Sequence, residues 1–451
     1  MFLKWFLLIG LALLAGGTAV AVEERRAEPL TVAAALARAE RANPSLAAIR
    51  ARYQALKAVP SQVGSLPDPE VSFNALNLPV DTFDIPQEPM TQLQFGISQA
   101  IPFPGKLRLR EEAAEWEARA AGDAVEERRL RLLRDVEKLW WRVFYLDRAL
   151  EIITANQDLL RQFVEIAQTK YKVGQGLQQD VLLAQLELSR LLDRQLQLKG
   201  LRTQETARLN ALLDRPADAA VQLPDKVEPH LDQAPSEKVL FTLAEQSRPL
   251  LARFQNQIEA ARSRVELAEK ELLPDFKVGA FHGFRSGQNP DGTSRPDFLS
   301  LKLSMSVPLY FSRKQAKAVD QRQSELIREQ FQWQDVWNQV RAEISAALAD
   351  YRRAREQVIL FDQGIIPQAR QTVASMLAGY QVGKVDFLNL VSAEITLYNY
   401  QIQYWKTLAD ARQARATLWA AVGGIAPHPT LPPAGGGPGR GEKNGEKHHA
   451  D

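Results

Sequence analysis

The chain has 451 residues, 45% of them apolar and 24% charged, and a formal net charge of only +2. A balance so close to neutral offers no basic field for nucleic acid. The absence of cysteine excludes a disulfide framework, a thiolate metal site and a catalytic thiol.

At the N-terminus, Lys4 precedes an apolar run from Phe6 to Ala15. That run is too short to cross a bilayer comfortably. Ala19-Val20-Ala21 has the small-x-small form of a signal cleavage site. Residues 1–21 are therefore expected to be an export signal peptide, with the mature chain starting near Val22; a retained anchor is the alternative reading. No later stretch approaches 18 uninterrupted apolar residues. Membrane contact by the mature chain would be peripheral or through β-barrel strands.

Thr31 is placed to cap a helix running to Arg41, and Asn43-Pro44 to open a second one reaching about Gln62. Leu66-Pro67-Asp68-Pro69 cannot be helix interior. The period then changes. Val71, Phe73 and Ala75 alternate with polar residues, and after a loop over 81–90 so do Leu93, Phe95 and Ile97. The spacing predicts strands over about 70–80 and 91–101, joined as a hairpin. From Leu107 to Val173 there is no proline and a single glycine, Gly122. A helix of that span is ~100 Å long and requires a bundle or coiled coil. The turn Tyr171-Lys172-Val173-Gly174 ends it, and a return helix follows, so a helical hairpin covers about 106–214. Residues 22–214 make a first repeat. Residues 215–235, with Pro216, Pro224, Pro229 and Pro235, make a linker.

Residues 236–422 repeat this order. Arg248-Pro249 matches Asn43-Pro44, and Leu273-Pro274-Asp275 matches Leu66-Pro67-Asp68. Strands are expected over about 275–285 and 298–308; in the latter, Leu299, Leu301, Leu303 and Met305 alternate with serines and Lys302. A second helical hairpin covers about 313–422, with a kink expected near Pro367 and a turn at Tyr380-Gln381-Val382-Gly383. Gly174 and Gly383 are 209 residues apart, close to half the chain. The chain therefore reads as an internal duplication. Residues 423–451, rich in Pro, Gly and Lys, are expected to be disordered.

Strands with one apolar face fit a half-buried sheet of a soluble protein, and equally the lipid-out, lumen-in code of a barrel. Four strands cannot close a barrel, and open edges are forbidden in lipid, so membrane strands would have to be shared among several chains. The helices carry heptad spacing: Leu388, Val391, Ile395, Tyr398, Ile402, Trp405 and Ala409 in the second return helix, and Val181, Ala184, Leu188, Leu191 and Leu198 in the first. A coiled coil without a pore, as in a periplasmic structural or adaptor protein, satisfies the helical pattern alone.

The Tyr-x-x-Gly turn before an Ala- and Leu-rich helix occurs twice. With Ala393-Glu394-Ile395-Thr396-Leu397-Tyr398-Asn399 and the strand exit Gln99-Ala100-Ile101-Pro102-Phe103-Pro104-Gly105-Lys106, it resembles the TolC family of outer-membrane efflux proteins over roughly residues 30–425. The strand exit is reminiscent of the family's heavy-metal branch. The resemblance implies a mainly α fold with a small β part: duplicated long-helix hairpins plus four transmembrane strands per chain. It also implies a homotrimer with a twelve-stranded barrel in outer-membrane lipid and an α-helical barrel in the periplasm. Such a channel serves a tripartite system, for instance of the RND class, with an inner-membrane pump and a periplasmic adaptor as partners. Val71, Phe73, Leu93, Phe95, Ile97, Leu299, Leu301, Leu303 and Met305 would face lipid. Tyr171, Gly174, Tyr380 and Gly383 would form the periplasmic tips. The family's two acidic constriction positions fall on Asn389 and Ser392 here, a departure that leaves Asp386 and Asp180 as candidate constriction carboxylates. A favourable charge near a helix N-terminus is the plainer reading of those two aspartates.

No catalytic chemistry stands out. His230, His282, His428, His448 and His449 form no metal-ligand spacing, and Gly435 to Gly441 lack a following helix. Trp140-Trp141, Trp333 and Trp337 read as packing residues. The expectation is a channel that is not an enzyme, with no cofactor, no metal site and no nucleic-acid partner.

Overall fold

A computed structural model describes residues 29–424. The expected signal peptide, nearly all of the expected disordered tail, and His428, His448 and His449 lie outside the described residues. The first half opens with α1 (Val32–Ala42), α2 (Pro44–Lys57) and α3 (Val59–Gly64), followed by β1 (Glu70–Leu76) and β2 (Gln92–Ile101). Then come α4 (Lys106–Lys172) and α5 (Gln178–Leu212). The second half contains α6 (Glu237–Ser247), α7 (Pro249–Lys270), β3 (Phe276–Phe284) and β4 (Phe298–Met305). It closes with α8 (Gln315–Leu360), α9 (Ile366–Gln381) and α10 (Phe387–Val422).

Local chemistry sets the starts. Thr31 Oγ1 accepts from Ala34 N at 3.2 Å, and Asn43 Oδ1 accepts from Leu46 N at 3.1 Å. These are N-cap bonds that satisfy donors the helix cannot. The helix expected from Pro44 to Gln62 is in fact two, because Pro60 has no N–H for the ladder and the chain breaks at Ala58. The kink expected near Pro367 takes the form of a π-helical turn over Phe361–Ile365, where Ile366 N bonds Phe361 O, five residues back. One residue has been accommodated just ahead of a proline that cannot donate.

The four strands form one antiparallel sheet in the order β1-β2-β3-β4. Two strands are shorter than expected. β1 stops at Leu76, because Asn77 takes a positive φ of 55° and Pro79 follows. β4 stops at Met305, leaving Val307 and Pro308 outside the ladder. β2 pairs with β3 along its length, Ile101 opposite Phe276 and Leu93 opposite Phe284, and so joins the two halves.

The helical core follows the long helices. Val136, Trp140, Phe144, Ala149 and Ile153 on α4 are buried with Ala184, Leu191 and Leu198 on α5 and with Phe387, Leu390 and Val391 on α10. Trp140 stacks on Phe144, ring centroids 5.5 Å apart, and its Nε1 donates to Leu30 O at 2.7 Å. Leu388, expected on the heptad seam, is instead 55% exposed, and Phe387 and Leu390 hold that place. The seam starts one position off because the helix begins only at Phe387. The linker carries no helix or strand, yet it is pinned across the bundle. Tyr351 OH donates to Asp232 O at 2.6 Å, Arg355 Nε to Leu231 O at 3.0 Å, and Arg412 Nη2 to Glu228 O and His230 O at 2.7 and 2.8 Å.

Candidate channel surfaces

Two surfaces stand out, at opposite ends of the long helices. The first is one face of the sheet. Strand alternation sends odd-numbered residues of β1, β2 and β4 and even-numbered residues of β3 to the same side. Val71, Phe73, Phe95, Ile97, Leu299, Leu301, Leu303 and Met305 are all more than half exposed there, and Leu93 is half-buried between Ala75 and Phe284. A run of large apolar side chains this exposed marks a surface meant for a nonaqueous neighbour. Phe73 and Phe95 pack ring to ring at 4.8 Å. His282 is the one titratable side chain on this face, held 3.1 Å from Asp297 Oδ2 at its far end.

The opposite face is polar and tightly built. Gln92 and Gln94 are buried, and Phe281 lies across Gly96, where an added Cβ would come within 2.0 Å of its ring. Lys277 Nζ bonds Glu70 Oε2 at 2.6 Å on this side. Both outer strands, β1 and β4, have a free edge.

The second surface is the pair of turns. Gly174 and Gly383 take φ of +71° and +73°, the left-handed region that side chains resist. In the first turn, Gln175 N bonds Lys170 O at 2.8 Å and Gly174 N bonds Tyr171 O at 3.0 Å. In the second, Lys384 N bonds Gly379 O at 2.9 Å and Gly383 N bonds Tyr380 O at 3.2 Å. Both are the six-to-one and five-to-two pair of a Schellman cap, so the repeated motif is a repeated helix stop.

The two turns meet. Lys170 Nζ sits 3.9 Å from the centroid of the Tyr380 ring, which also packs on Phe387 at 5.5 Å. Burial, and then the negative charge of Asp180, hold the Tyr380 hydroxyl above its ordinary pKa. Tyr171, its counterpart, is 48% exposed. The structure thus brings Asp180 and Tyr380 together, while Asp386, Asn389 and Ser392 all point to solvent in the single chain. Asp386 stands at the N-cap of α10, but its side chain makes no cap bond.

One residue here escaped sequence reasoning. Glu394, a turn further along α10, is 9% exposed, and burial raises its carboxyl pKa. Its place among Phe387, Leu390, Val391 and Leu397 on the buried stripe of α10 could have flagged it.

Among the described residues no group of three or more His, Asp or Glu is placed to hold a metal ion. No helix among them is long and apolar enough to cross a membrane.

A family model described as "Outer membrane efflux protein" matches residues 35–215 and 240–424. The chain is 22% identical over 405 residues to the cobalt-zinc-cadmium resistance protein CzcC of Cupriavidus metallidurans, covering 88% of this chain and 91% of that one. Among solved structures, the outer-membrane channel OprN superposes with a TM-score of 0.74 at 16% identity, over 87% of this chain and 90% of that one. The outer membrane protein VceC of Vibrio cholerae does so with a TM-score of 0.72 at 19% identity, over 88% and 97%.

Proposed function

Because this chain belongs to the outer membrane efflux protein family, we propose that it is the exit duct of a tripartite efflux system, passively conducting cargo delivered by an inner-membrane pump and a periplasmic adaptor. Three copies share one twelve-stranded barrel. The apolar face of the sheet meets lipid, the polar face lines water, and α4, α5 and α8 to α10 continue the conduit through the periplasm. The exported chain is seated in the outer membrane, and the two Schellman turns form its periplasmic tips.

The observation that carries this reading is the sheet. It has a largely exposed apolar face, two free edges and only four strands. A free edge in lipid leaves backbone donors and acceptors unpaired, at several kcal/mol each, and only closure removes that cost. The 67-residue α4 is ~100 Å long, a reach suited to crossing a periplasm. Energy comes from the pump, and the duct supplies a water-filled path.

The match to a cobalt-zinc-cadmium resistance protein over most of both chains supports divalent transition-metal cations as the cargo. The cations would pass through as substrate.

Planar-bilayer recording of the purified protein tests the proposal. Discrete conductance steps are expected, larger once the tips are loosened. A protein that inserts but never conducts, even with altered tips, is not a duct.

A further inference from the structure

We infer that the seam between two neighbouring copies repeats the register of the β2–β3 seam inside one copy, and that it is locked at its helical end by Lys314 of one copy against Asp68 of the next. This rests on the trimeric reading above.

The internal seam has a lock. Lys106, at the start of α4, is 2% exposed at its side chain, and its Nζ donates to Asp275 Oδ1 at 2.8 Å and to Leu273 O at 2.9 Å. Phe103 N donates to the same carboxylate oxygen at 2.8 Å. The exit of β2 is thus tied to the entrance of β3. Buried charge in this setting is tolerated because it is paired and hydrogen-bonded.

The duplication gives each member of this lock a counterpart. Buried residues of α4 and α8 coincide at a separation of 208: Leu132 with Val340, Val136 with Ile344, Trp140 with Leu348, Val143 with Tyr351, and Leu146 with Ala354. The same separation carries Lys106 to Lys314. A separation of 207 carries Leu66-Pro67-Asp68 to Leu273-Pro274-Asp275. Lys314 and Asp68 are both exposed, and among the described residues neither side chain has a hydrogen-bond or ion-pair partner. One lies beside the exit of β4 and the other beside the entrance of β1, the two strands with free edges. Opposite charges therefore wait on the two edges that must meet.

The strand register follows from the same correspondence. β1 maps on β3 at 207 and β2 on β4 at 206. Carried across, the observed pairs Gln99–Val278, Ile97–Ala280 and Phe95–His282 become Met305–Val71, Leu303–Phe73 and Leu301–Ala75. Ser98–Gly279 becomes Ser304–Ser72. Every exposed apolar side chain then stays on one face, whereas a slip of one residue would turn that face polar.

The native chain has no cysteine, so introduced pairs report cleanly. In the full-length protein in detergent, Ser72→Cys with Ser304→Cys is expected to oxidise to a covalent trimer on a non-reducing gel. Ser72→Cys with Lys302→Cys, two residues out of register, is not. For the lock, Asp68→Lys or Lys314→Asp alone should lower the temperature at which the trimer dissociates, and the double reversal should restore it. Light scattering of the wild-type protein separates the failures. A trimer in which the in-register pair crosslinks no better than the shifted pair overturns the register and leaves the trimer standing. Equal loss without rescue by the double reversal overturns the lock. A wild-type monomer overturns the seam and the trimeric reading together.

Discussion

Arg248 and Glu127 form a buried ion pair, Nη2 to Oε1 at 2.9 Å, with side chains 2% and 6% exposed. Arg248 also donates to Ala420 O at the end of α10. In the first half, Asn43 Nδ2 donates to Leu212 O at the end of α5 at 3.0 Å. In each repeat, then, the residue before the helix-opening proline donates to a carbonyl in the last turn of the return helix. The second repeat does so with a charge, and that charge had to bring a counter-ion.

Glu127→Gln should therefore destabilise the protein by about 3 kcal/mol, since it strands a buried guanidinium. The effect sits at the low end of such losses because Glu343 remains 3.6 Å from Arg248. Replacing both Arg248 and Glu127 by Leu should cost less than replacing Glu127 alone. Thermal unfolding midpoints measured in one detergent decide the order; if the double variant is the weaker, the ion pair is net stabilising.

Gly174→Ala and Gly383→Ala should each cost about 1–2 kcal/mol locally, the penalty of a side chain in the left-handed region. No atom lies within 4 Å of the added Cβ at either position, so the cost is conformational alone. Asn at the same sites should recover most of it. Gly96→Ala differs in kind, because its Cβ would meet the Phe281 ring at 2.0 Å and the sheet would have to shift. Hydrogen exchange at the tips, and heat resistance of the assembled barrel, read the two effects separately.

Glu394 is expected to make the stability of the tip depend on pH. Burial raises its carboxyl above the ordinary value of 4.5, so the folded tip holds this proton to higher pH than the unfolded chain does. Stability from this group is greatest below that ordinary value and falls as pH rises through the raised one. Glu394→Gln should thus raise the unfolding midpoint at pH 7.5 and leave it nearly unchanged at pH 4. Equal effects at both pH values would mean that packing, and not the charge, dominates there.

Lys170 over Tyr380 is a contact between the two helical hairpins, of a kind worth about 0.5–2 kcal/mol. Lys170→Met or Tyr380→Leu should loosen the tips and raise single-channel conductance or open probability. Asn389→Asp with Ser392→Asp should introduce block by multivalent cations if those positions line the constriction. Unaltered block would move the constriction to Asp180 or Asp386, whose Asn variants then become the informative ones.

Much of the fold was legible in the sequence because its signals are local. The alternation through Leu299 to Met305 and the uninterrupted helical stretch before Gly174 each follow from a few neighbouring residues. The break at Ala58, the early end of β4 and the offset heptad at Leu388 were not legible. Each depends on where a hydrogen-bond ladder starts or stops, and propensity places that only within a few residues. At the tips, the repeated glycine was evident from sequence, but the closeness of Lys170 and Asp180 to Tyr380 was not. They come from different repeats, with about half the chain between them.

By itself the sequence determined the duplication, the two periods and the repeated glycine turns, since each is a matter of sterics and hydrogen bonding within a turn or a strand. Only the tertiary structure decided that β2 pairs with β3, that Lys106 is buried on Asp275, and that β1 and β4 are left with free edges. Those contacts join residues some 170 positions apart in the chain, where order along the backbone carries no information about adjacency. They are settled by the backbone ladder that β2 and β3 complete for each other and by the partner that the buried Lys106 ammonium requires.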